Sequence, residues 1–322
     1  GALVEVVEAV GRGRRVGHGE GGGAGQDSND PRGDPGRGEE EGMGKRGNRN
    51  RERGIRDRVS RVHRLPDSAD AASGFRPRCL MPDSPNALVL FSGGQDSTTS
   101  LFWALAPDGG AFDHVEAVAF RYGQRHAVEI EQARAIAEAA GVPLTVLDLT
   151  GLLSGSALLA DEAADTNDAH ALAPDLPASF VPGRNALFLT AAASLGFTRG
   201  IADLVGGMCQ TDYSGYPDCR LDFVESQAQT LSLALDTDLR IHTPLMHLTK
   251  AETWKLAADL GTVRGLDVLE TVREMSHTDY HGDRTQRHAW GYGRLDNPAS
   301  VLRAKGHAEA VAKGWVPDVD LP

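Results

Sequence analysis

The run ALVLFSGGQDSTTSL, Ala87–Leu101, contains the groups best suited to chemistry in this 322-residue chain. Its apolar start predicts a buried strand, its small residues predict a tight turn, and Gln95 onwards predicts a helix. The N-terminus of a helix behind a glycine turn presents backbone N–H groups and the positive end of the helix dipole, which bind phosphate. Asp96 is placed to hold a magnesium ion on that phosphate. The alternative is an ordinary helix that begins with a Ser or Asp cap.

The glycines of this run are not followed by Gly-Lys-Ser or Gly-Lys-Thr, so GTPase or motor chemistry is not expected. Ser-Gly-Gly-x-Asp-Ser instead resembles the pyrophosphate loop of ATP pyrophosphatases, which adenylate an oxygen atom and release pyrophosphate. The loop alone leaves the substrate open, because it occurs in amide-forming, thiolating and lysidine-forming enzymes alike.

The chain has two parts of different composition. Residues 1–80 contain 17 of the 38 glycines and little apolar periodicity, which predicts a disordered extension. An arginine-rich RNA-binding arm and a true start at Met81 are the alternatives for this part. Residues 81–322 carry 17 basic and 32 acidic residues, and this balance argues against general nucleic-acid binding by the folded part.

The sequence contains no sign of membrane insertion or secretion. No stretch has the length and apolar content of a membrane span, and the first residues lack the features of a signal peptide. Cys79, Cys209 and Cys219 are an odd, scattered set that fits a reducing compartment. These features predict a soluble, cytoplasmic protein without a membrane partner.

Beyond the first strand and helix, strand and helix patterns alternate. The predicted strands and helices are, in chain order, His114–Phe120, Ala127–Ala140, Val142–Leu149, Asn185–Phe197, Ile201–Gly206 and Phe223–Leu235. This alternation is typical of an α/β fold with a doubly wound parallel sheet. We expect an ATP pyrophosphatase core in residues 81–265 and a small polar C-terminal lobe in residues 266–322.

Three further polar runs lie next to predicted strands or helices: Arg121–Glu129, Phe180–Asn185 and Gly207–Arg220. Each of them alone is compatible with a surface loop. In a parallel sheet, however, ligands bind outside the carboxyl ends of the strands. Three such runs at the edge that carries the phosphate loop therefore predict one shared site.

Five motifs in order, SGGQDSTT, FRYGQRH, FVPGRN, CQTDYSGYPDCR and TPLMHLTKAETW, together resemble the 7-cyano-7-deazaguanine synthase family over about residues 86–306. The resemblance implies the adenine nucleotide alpha hydrolase-like fold and a carbon–nitrogen ligase. Such an enzyme uses ATP and ammonia to convert 7-carboxy-7-deazaguanine into the nitrile, a step towards queuosine in a tRNA modification pathway.

The resemblance also places ATP and its Mg²⁺ on the phosphate loop. The residues expected to contact ATP are Phe91, Ser92, Gly93, Gly94, Gln95, Asp96, Ser97, Thr98, Thr99, Ser100 and Leu101. Asp96 is expected to act in catalysis through the metal, and Lys250 through a cation on the same phosphates. Lys250 is equally compatible with a solvated lysine at the start of a helix.

Residues of two other motifs are candidates for substrate binding. Arg184 and Asn185 are assigned to the substrate carboxylate or base edge, since a guanidinium fork matches a carboxylate. Asp212, Tyr213 and Asp218 are assigned to the guanine-like edge, where carboxylates accept from N–H groups and an aromatic ring stacks.

The predicted C-terminal lobe departs from the family pattern of four zinc-binding cysteines. At those positions this chain has Asp279, Arg294, Asn297 and Ser300. A tetrahedral thiolate site cannot form without thiolates, so zinc is not expected. A substitute site is the alternative, made from His277, Asp279, His281, Asp283 and His288. We expect aromatic and apolar side chains to hold the lobe, namely Tyr280, Trp290, Tyr292, Leu295, Val301 and Leu302.

Two other functions compete with the ligase: a zinc-less paralogue that adenylates a different carboxylate, and a catalytically silent binding protein. The intact phosphate loop argues against the silent protein, and the complete FVPGRN and DYSGYPDCR runs argue against the paralogue. Without a glutaminase-like cysteine motif, the enzyme is expected to use free ammonia. The expected partners are thus 7-carboxy-7-deazaguanine, ammonia and ATP, with no direct nucleic-acid contact, while the oligomeric state stays open, a homodimer included.

Overall fold

The computed structural model describes residues 85–124, 128–156, 158–159, 169–171, 173–211, 215–279 and 282–319. The predictions for residues 1–80, and those for Asp212 and Tyr213, therefore lie outside the described residues. Within the described ranges, the helices all fall short of the length and apolar character that a membrane span requires.

A five-stranded parallel sheet forms the centre of the fold. Its strands are β1 (Asn86–Leu90), β2 (His114–Arg121), β3 (Leu144–Asp148), β6 (Asp203–Val205) and β7 (Arg240–His242). Their order across the sheet is β3-β2-β1-β6-β7. Short antiparallel pairs lie outside the sheet: β4 (Ala169–His170) with β5 (Ala173–Pro177), β8 (Thr262–Val263) with β9 (Leu266–Asp267), and β10 (Arg287–His288) with β11 (Gly291–Tyr292).

Helices cover both faces of the sheet. They are α1 (Gln95–Leu105), α2 (Val128–Ala139), α3 (Arg184–Thr198), α4 (Leu221–Leu235), α5 (Lys250–Asp259), α6 (Val268–Met275) and α7 (Pro298–Ala312). Side chains of α1, α2, α5, α6 and α7 share one hydrophobic cluster, and those of α3 and α4 share a second. This arrangement confirms the predicted doubly wound α/β fold.

Strand β1 lies in the middle of the sheet and is apolar on both sides. Ala87 and Val89 face the cluster that contains α1 and α2, whereas Leu88 faces the cluster that contains α3 and α4. A strand buried on both faces needs an unbroken apolar run, which explains the pattern of the sequence. From β1 the chain proceeds to β2 and β3 on one side and then crosses to β6 on the other, so a topological switch point lies between β1 and β6.

The C-terminal region packs onto the α1 face of the sheet. Val272 of α6 and Ala310 of α7 are wholly buried in the same hydrophobic cluster as β1. Trp290 is buried, as expected for a residue that holds this region. The same expectation is wrong for Leu295, whose surface is 53% exposed. Polar side chains occupy much of the interior here, which the apolar prediction did not foresee.

Candidate active site

The phosphate loop, residues 91–97, joins the carboxyl end of β1 to α1 at the switch point. The N-cap of α1 is Gly94, and no side chain makes a capping hydrogen bond there. The alternative of an ordinary Ser- or Asp-capped helix is therefore wrong. An uncapped N-terminus leaves backbone N–H groups and the helix dipole available to an anion.

Two serine hydroxyls fix the shape of the loop. Ser92 Oγ lies 3.1 Å from Ser97 Oγ, and Ser97 Oγ donates a hydrogen bond of 3.2 Å to the carbonyl of Gly94. The backbone N–H of Ser92 donates to Ser97 Oγ at 3.3 Å. These contacts hold the two ends of the turn together without covering the helix N-terminus.

Gly93 allows helix α2 to pack directly on the loop. Its φ of 79° is the left-handed conformation that favours glycine. A Cβ at this position would lie 2.7 Å from the backbone nitrogen of Ala133 and 2.9 Å from the carbonyl oxygen of Glu129. Any side chain would therefore push the loop away from α2.

Asp96 and Lys250 form an ion pair at the start of α1. Lys250 Nζ lies 2.9 Å from each carboxylate oxygen of Asp96. The lysine side chain is 10% exposed and the aspartate side chain 31% exposed. This contact is not compatible with a solvated Lys250. The pair brings a buried cation to the phosphate loop while one side of the carboxylate stays accessible.

Local structure and close packing position Lys250. It is the first residue of α5, where Thr249 and Glu252 form a reciprocal capping box. Gly306 of α7 lies against it, and a Cβ there would approach Lys250 Cγ to 2.6 Å. The lysine is therefore held between two helices.

Arg303 of α7 adds a second buried positive charge near Asp96. Burial lowers the pKa of the Arg303 guanidinium to about 9, and the Asp96 carboxylate opposes this shift. Its Nη1 donates a hydrogen bond of 2.9 Å to Thr278 Oγ1. The phosphate loop is thus backed by cationic side chains, which favours an anionic ligand.

Residues of the predicted substrate motifs lie together. The backbone N–H of Asn185 donates to Asp218 Oδ2 at 3.0 Å, and Asn185 Nδ2 donates to the carbonyl of Asp218 at 3.0 Å. Arg184, the first residue of α3, interacts electrostatically with the Tyr122 hydroxyl and with the Asp218 carboxylate. We refer to Tyr122, Glu129, Arg184, Asn185 and Asp218 as the Arg184 cluster.

The Arg184 cluster shifts the pKa values of its own members. Burial, together with the charge of Glu129, raises the pKa of the Tyr122 hydroxyl to about 12. Burial also raises the pKa of the Glu129 carboxyl, while Arg184 lowers it. Tyr122 and Glu129 were not singled out from the sequence. The available signal was their place in the polar run that follows the second strand.

Glu129 contacts both the phosphate loop and the Arg184 cluster. Its backbone carbonyl lies against Gly93 of the phosphate loop, and its carboxylate interacts with Arg184. Next to the Arg184 cluster is an open cavity of about 410 Å³, lined by Phe180, Gly183, Pro217, Asp218, Arg220, Asp222 and Phe223. The two polar runs that contain Arg184 and Asp218 thus meet beside a surface cavity.

The fold and the site together define a doubly wound α/β protein whose β1–α1 loop presents an uncapped helix N-terminus at the switch point. The family model described as queuosine biosynthesis protein QueC matches residues 86–311. A 7-cyano-7-deazaguanine synthase of Nitrobacter hamburgensis is 47% identical over 244 residues, which cover 72% of this chain and 98% of the relative. The chain belongs to the queuosine biosynthesis protein QueC family.

The chain also resembles a second synthase closely in sequence and a solved structure only weakly. A 7-cyano-7-deazaguanine synthase of Leptothrix cholodnii is 49% identical over 238 residues, which cover 70% of this chain and 96% of the relative. Among solved structures, NMN synthetase from Francisella tularensis matches with a TM-score of 0.37 and 12% identity. That match covers 74% of this chain and 90% of the synthetase.

Proposed function

We propose that this protein is a 7-cyano-7-deazaguanine synthase, an ATP-dependent carbon–nitrogen ligase that acts on 7-carboxy-7-deazaguanine and ammonia. The observation that carries the proposal is the uncapped phosphate loop with the Asp96–Lys250 pair, in a chain of this family. The alternative of a different carboxylate substrate is not favoured, because relatives that share nearly half of the aligned residues carry the same name.

The chemistry requires two activations. The substrate carboxylate attacks the α-phosphorus of ATP, which gives an acyl adenylate and releases pyrophosphate. Ammonia then displaces AMP to form the amide. The amide oxygen attacks a second ATP and pyrophosphate leaves again. Loss of AMP, which carries away the amide oxygen, and of both N–H protons then yields the nitrile. Each activation develops negative charge on the departing pyrophosphate, which the N–H groups of α1 and the Lys250 ammonium stabilise.

Asp96 is the residue that suits a magnesium ion. Its carboxylate accepts from Lys250 but has further lone pairs, and its side chain is 31% exposed. When bound, Mg²⁺ would neutralise phosphate charge and orient the leaving group. In this assignment Lys250 holds the carboxylate in place, and the pair acts as a unit.

The Arg184 cluster is the proposed site for the deazaguanine. Arg184 offers a fork of N–H donors to the substrate carboxylate. Asp218 already accepts from the Asn185 N–H, so its second oxygen is the one assigned to the guanine-like edge. Asp212 and Tyr213 keep the roles that the family resemblance implies for them.

Incubation of the full chain with 7-carboxy-7-deazaguanine, ATP, Mg²⁺ and ammonium tests the function, with products identified by mass. We expect 7-cyano-7-deazaguanine together with AMP and pyrophosphate. Replacing ammonium by glutamine tests the ammonia source and should give no product. Adenylation of an unrelated carboxylate, with the deazaguanine acid left unchanged, would contradict the proposal.

A further inference from the structure

The four positions that correspond to the family's zinc cysteines do not fit a zinc ion in this chain. They are Asp279, Arg294, Asn297 and Ser300, and none supplies a thiolate. Within the described ranges, no group of three or more His, Cys, Asp or Glu residues is arranged to hold a metal. The Arg294 side chain points to Asp296 and forms an ion pair with it.

The same four positions are instead joined by hydrogen bonds. Asp279 Oδ2 accepts from the backbone N–H of Arg294 at 2.6 Å, and Asp279 Oδ1 accepts from Asn297 Nδ2 at 3.0 Å. Asn297 Oδ1 accepts from the backbone N–H of Ser300 at 3.0 Å and thereby caps helix α7. Asp279, Asn297 and Ser300 are 2%, 1% and 0% exposed. We call these four residues the Asp279 cluster.

The Asp279 cluster is connected to the phosphate loop through the chain between them. His277 Nε2 donates to the carbonyl of Asp279 at 2.8 Å. The backbone N–H of His277 donates to the carbonyl of Gly93 at 2.9 Å, and the carbonyl of His277 packs against Gly94. The segment 277–279 is therefore bonded to the loop at one end and to the cluster at the other.

Charge favours this arrangement over a loose surface turn. A buried carboxylate is costly unless hydrogen bonds satisfy it, and Asp279 accepts two from Arg294 and Asn297, which lie 15 and 18 positions further along the chain. Arg303 fixes the middle of the segment by donating to Thr278 Oγ1. Movement of Asp279 would break both of its bonds and shift His277, and with it the carbonyl of Gly93.

We propose that the Asp279 cluster takes the structural place of a zinc site and holds the phosphate loop in its anion-binding form. Asp279 is a positioning residue that acts on the loop through His277 and Gly93. The effect of Asp279 on catalysis rests on the proposed function, whereas its effect on the conformation of the phosphate loop does not.

The test compares Asp279→Asn with Asp296→Asn, a matched change at an exposed aspartate of the same region. Asp279→Asn keeps the size of the side chain but turns an N–H group towards one of the two donors, the Arg294 N–H or the Asn297 amide. Hydrogen exchange of the ATP-free, full-length protein is measured by mass spectrometry. We expect exchange of the amides in residues 92–98 to accelerate about tenfold or more. Peptides from β3 and the Asp296→Asn protein should exchange as in the wild type.

Asn297→Asp is the second variant: it keeps a good helix cap, removes the Nδ2 donor to Asp279 and to the carbonyl of Arg294, and places a second carboxylate beside Asp279. It should change the same loop amides. ATP binding should weaken in both variants, and metal analysis of the wild type should find no stoichiometric zinc. One zinc per chain, or loop exchange unchanged in both variants despite a lower melting temperature, would overturn the proposal. Since exchange is measured without substrate, a negative ligase assay would count against the proposed function alone.

Discussion

The phosphate loop and the Asp279 cluster lie on either side of His277 and are built in opposite ways. The loop consists of small residues and backbone groups, its helix has no cap, and Asp96 remains 31% exposed. The cluster consists of side chains that bond to each other and to backbone N–H groups, apart from Ser300 Oγ, which has no hydrogen-bond partner among the described residues, and Asp279 is 2% exposed. Polar groups left open are suited to bind a ligand, whereas polar groups that satisfy one another are suited to hold a structure.

The largest effect is expected from a substitution in the phosphate loop, Asp96→Ala. Loss of the carboxylate removes the proposed magnesium ligand and breaks the ion pair between Asp96 and Lys250. Turnover, measured as ATP-dependent pyrophosphate release, should fall about 100-fold or more, which is about 2.7 kcal/mol of barrier. Circular dichroism should still show a folded protein.

The control for that substitution is Asp259→Ala. Asp259 also pairs with a lysine, Lys255, but it lies at the end of α5 with a 47% exposed side chain. Its loss should leave turnover unchanged. Activity of the Asp96→Ala protein within about tenfold of the wild type would remove Asp96 from the site.

A substitution at Gly93 tests whether the loop tolerates a side chain against α2. Gly93→Ala combines a left-handed backbone with contacts below 3 Å to the backbone of α2. We expect a loss of about 2 kcal/mol or more in the free energy of unfolding, together with weaker ATP binding. Urea unfolding and a binding isotherm measure the two effects.

Gly314→Ala is the matched control for Gly93. Gly314 also has a positive φ, 67°, but its Cβ would enter open space. Strain alone should cost the Gly314 variant about 1 kcal/mol. Equal losses in the two variants would show that close packing of the loop on α2 contributes nothing.

The pH dependence of the free energy of unfolding tests whether His307 of α7 is shielded from water. Burial, together with the charges of Arg273 and Arg303, lowers the pKa of His307 from 6.5 to about 4. Above pH 6.5 the imidazole is neutral in both states, so its contribution is constant. Between pH 6.5 and 4 only the unfolded chain takes up the proton, and the free energy of unfolding falls by up to about 1.4 kcal/mol per pH unit.

Urea unfolding at a series of pH values measures this slope. His307→Gln should reduce it, whereas His114→Gln, at a histidine whose side chain is 52% exposed, should not. If the slope of the unfolding free energy against pH does not change in the His307 variant, then the His307 imidazole is accessible to water in the folded protein.

The smallest effect is expected from removal of residues 1–80, which belong neither to the phosphate loop nor to the Asp279 cluster. Their composition predicts no packed core. A chain that begins at Met81 should keep its turnover, and its free energy of unfolding should change by less than about 0.5 kcal/mol. A clear drop in either quantity would show that the extension contributes to the fold or to substrate binding.

Local sequence patterns were enough to predict the strand–turn–helix unit of the phosphate loop and the fold class. The predicted strand at Ala87–Phe91 is β1 shifted by one residue, and α1 begins at the predicted Gln95. Such features are local, because an apolar run, a glycine turn and a helix start are all written in consecutive residues. The family followed from five ordered motifs, which the comparison with relatives confirmed.

Short strands and polar helices were harder to predict from the sequence. Strand β7 has three residues, too few for a period to appear. Helices α6 and α7 lie in a stretch that read as a polar lobe. Buried polar residues such as Arg303 and Asn297 occupy positions that apolar patterns cannot reveal. The sequence therefore gave no indication of how this region is held.

The contacts between residues distant in the chain became visible in the folded structure alone. Lys250 contacts Asp96 across 154 positions of the chain because β6 lies beside β1 and α5 packs under α7. Asp279 contacts Asn297 because α7 begins where the segment 277–279 returns to the loop. Contacts of this kind depend on the packing of every element between the partners, so local pattern does not determine them.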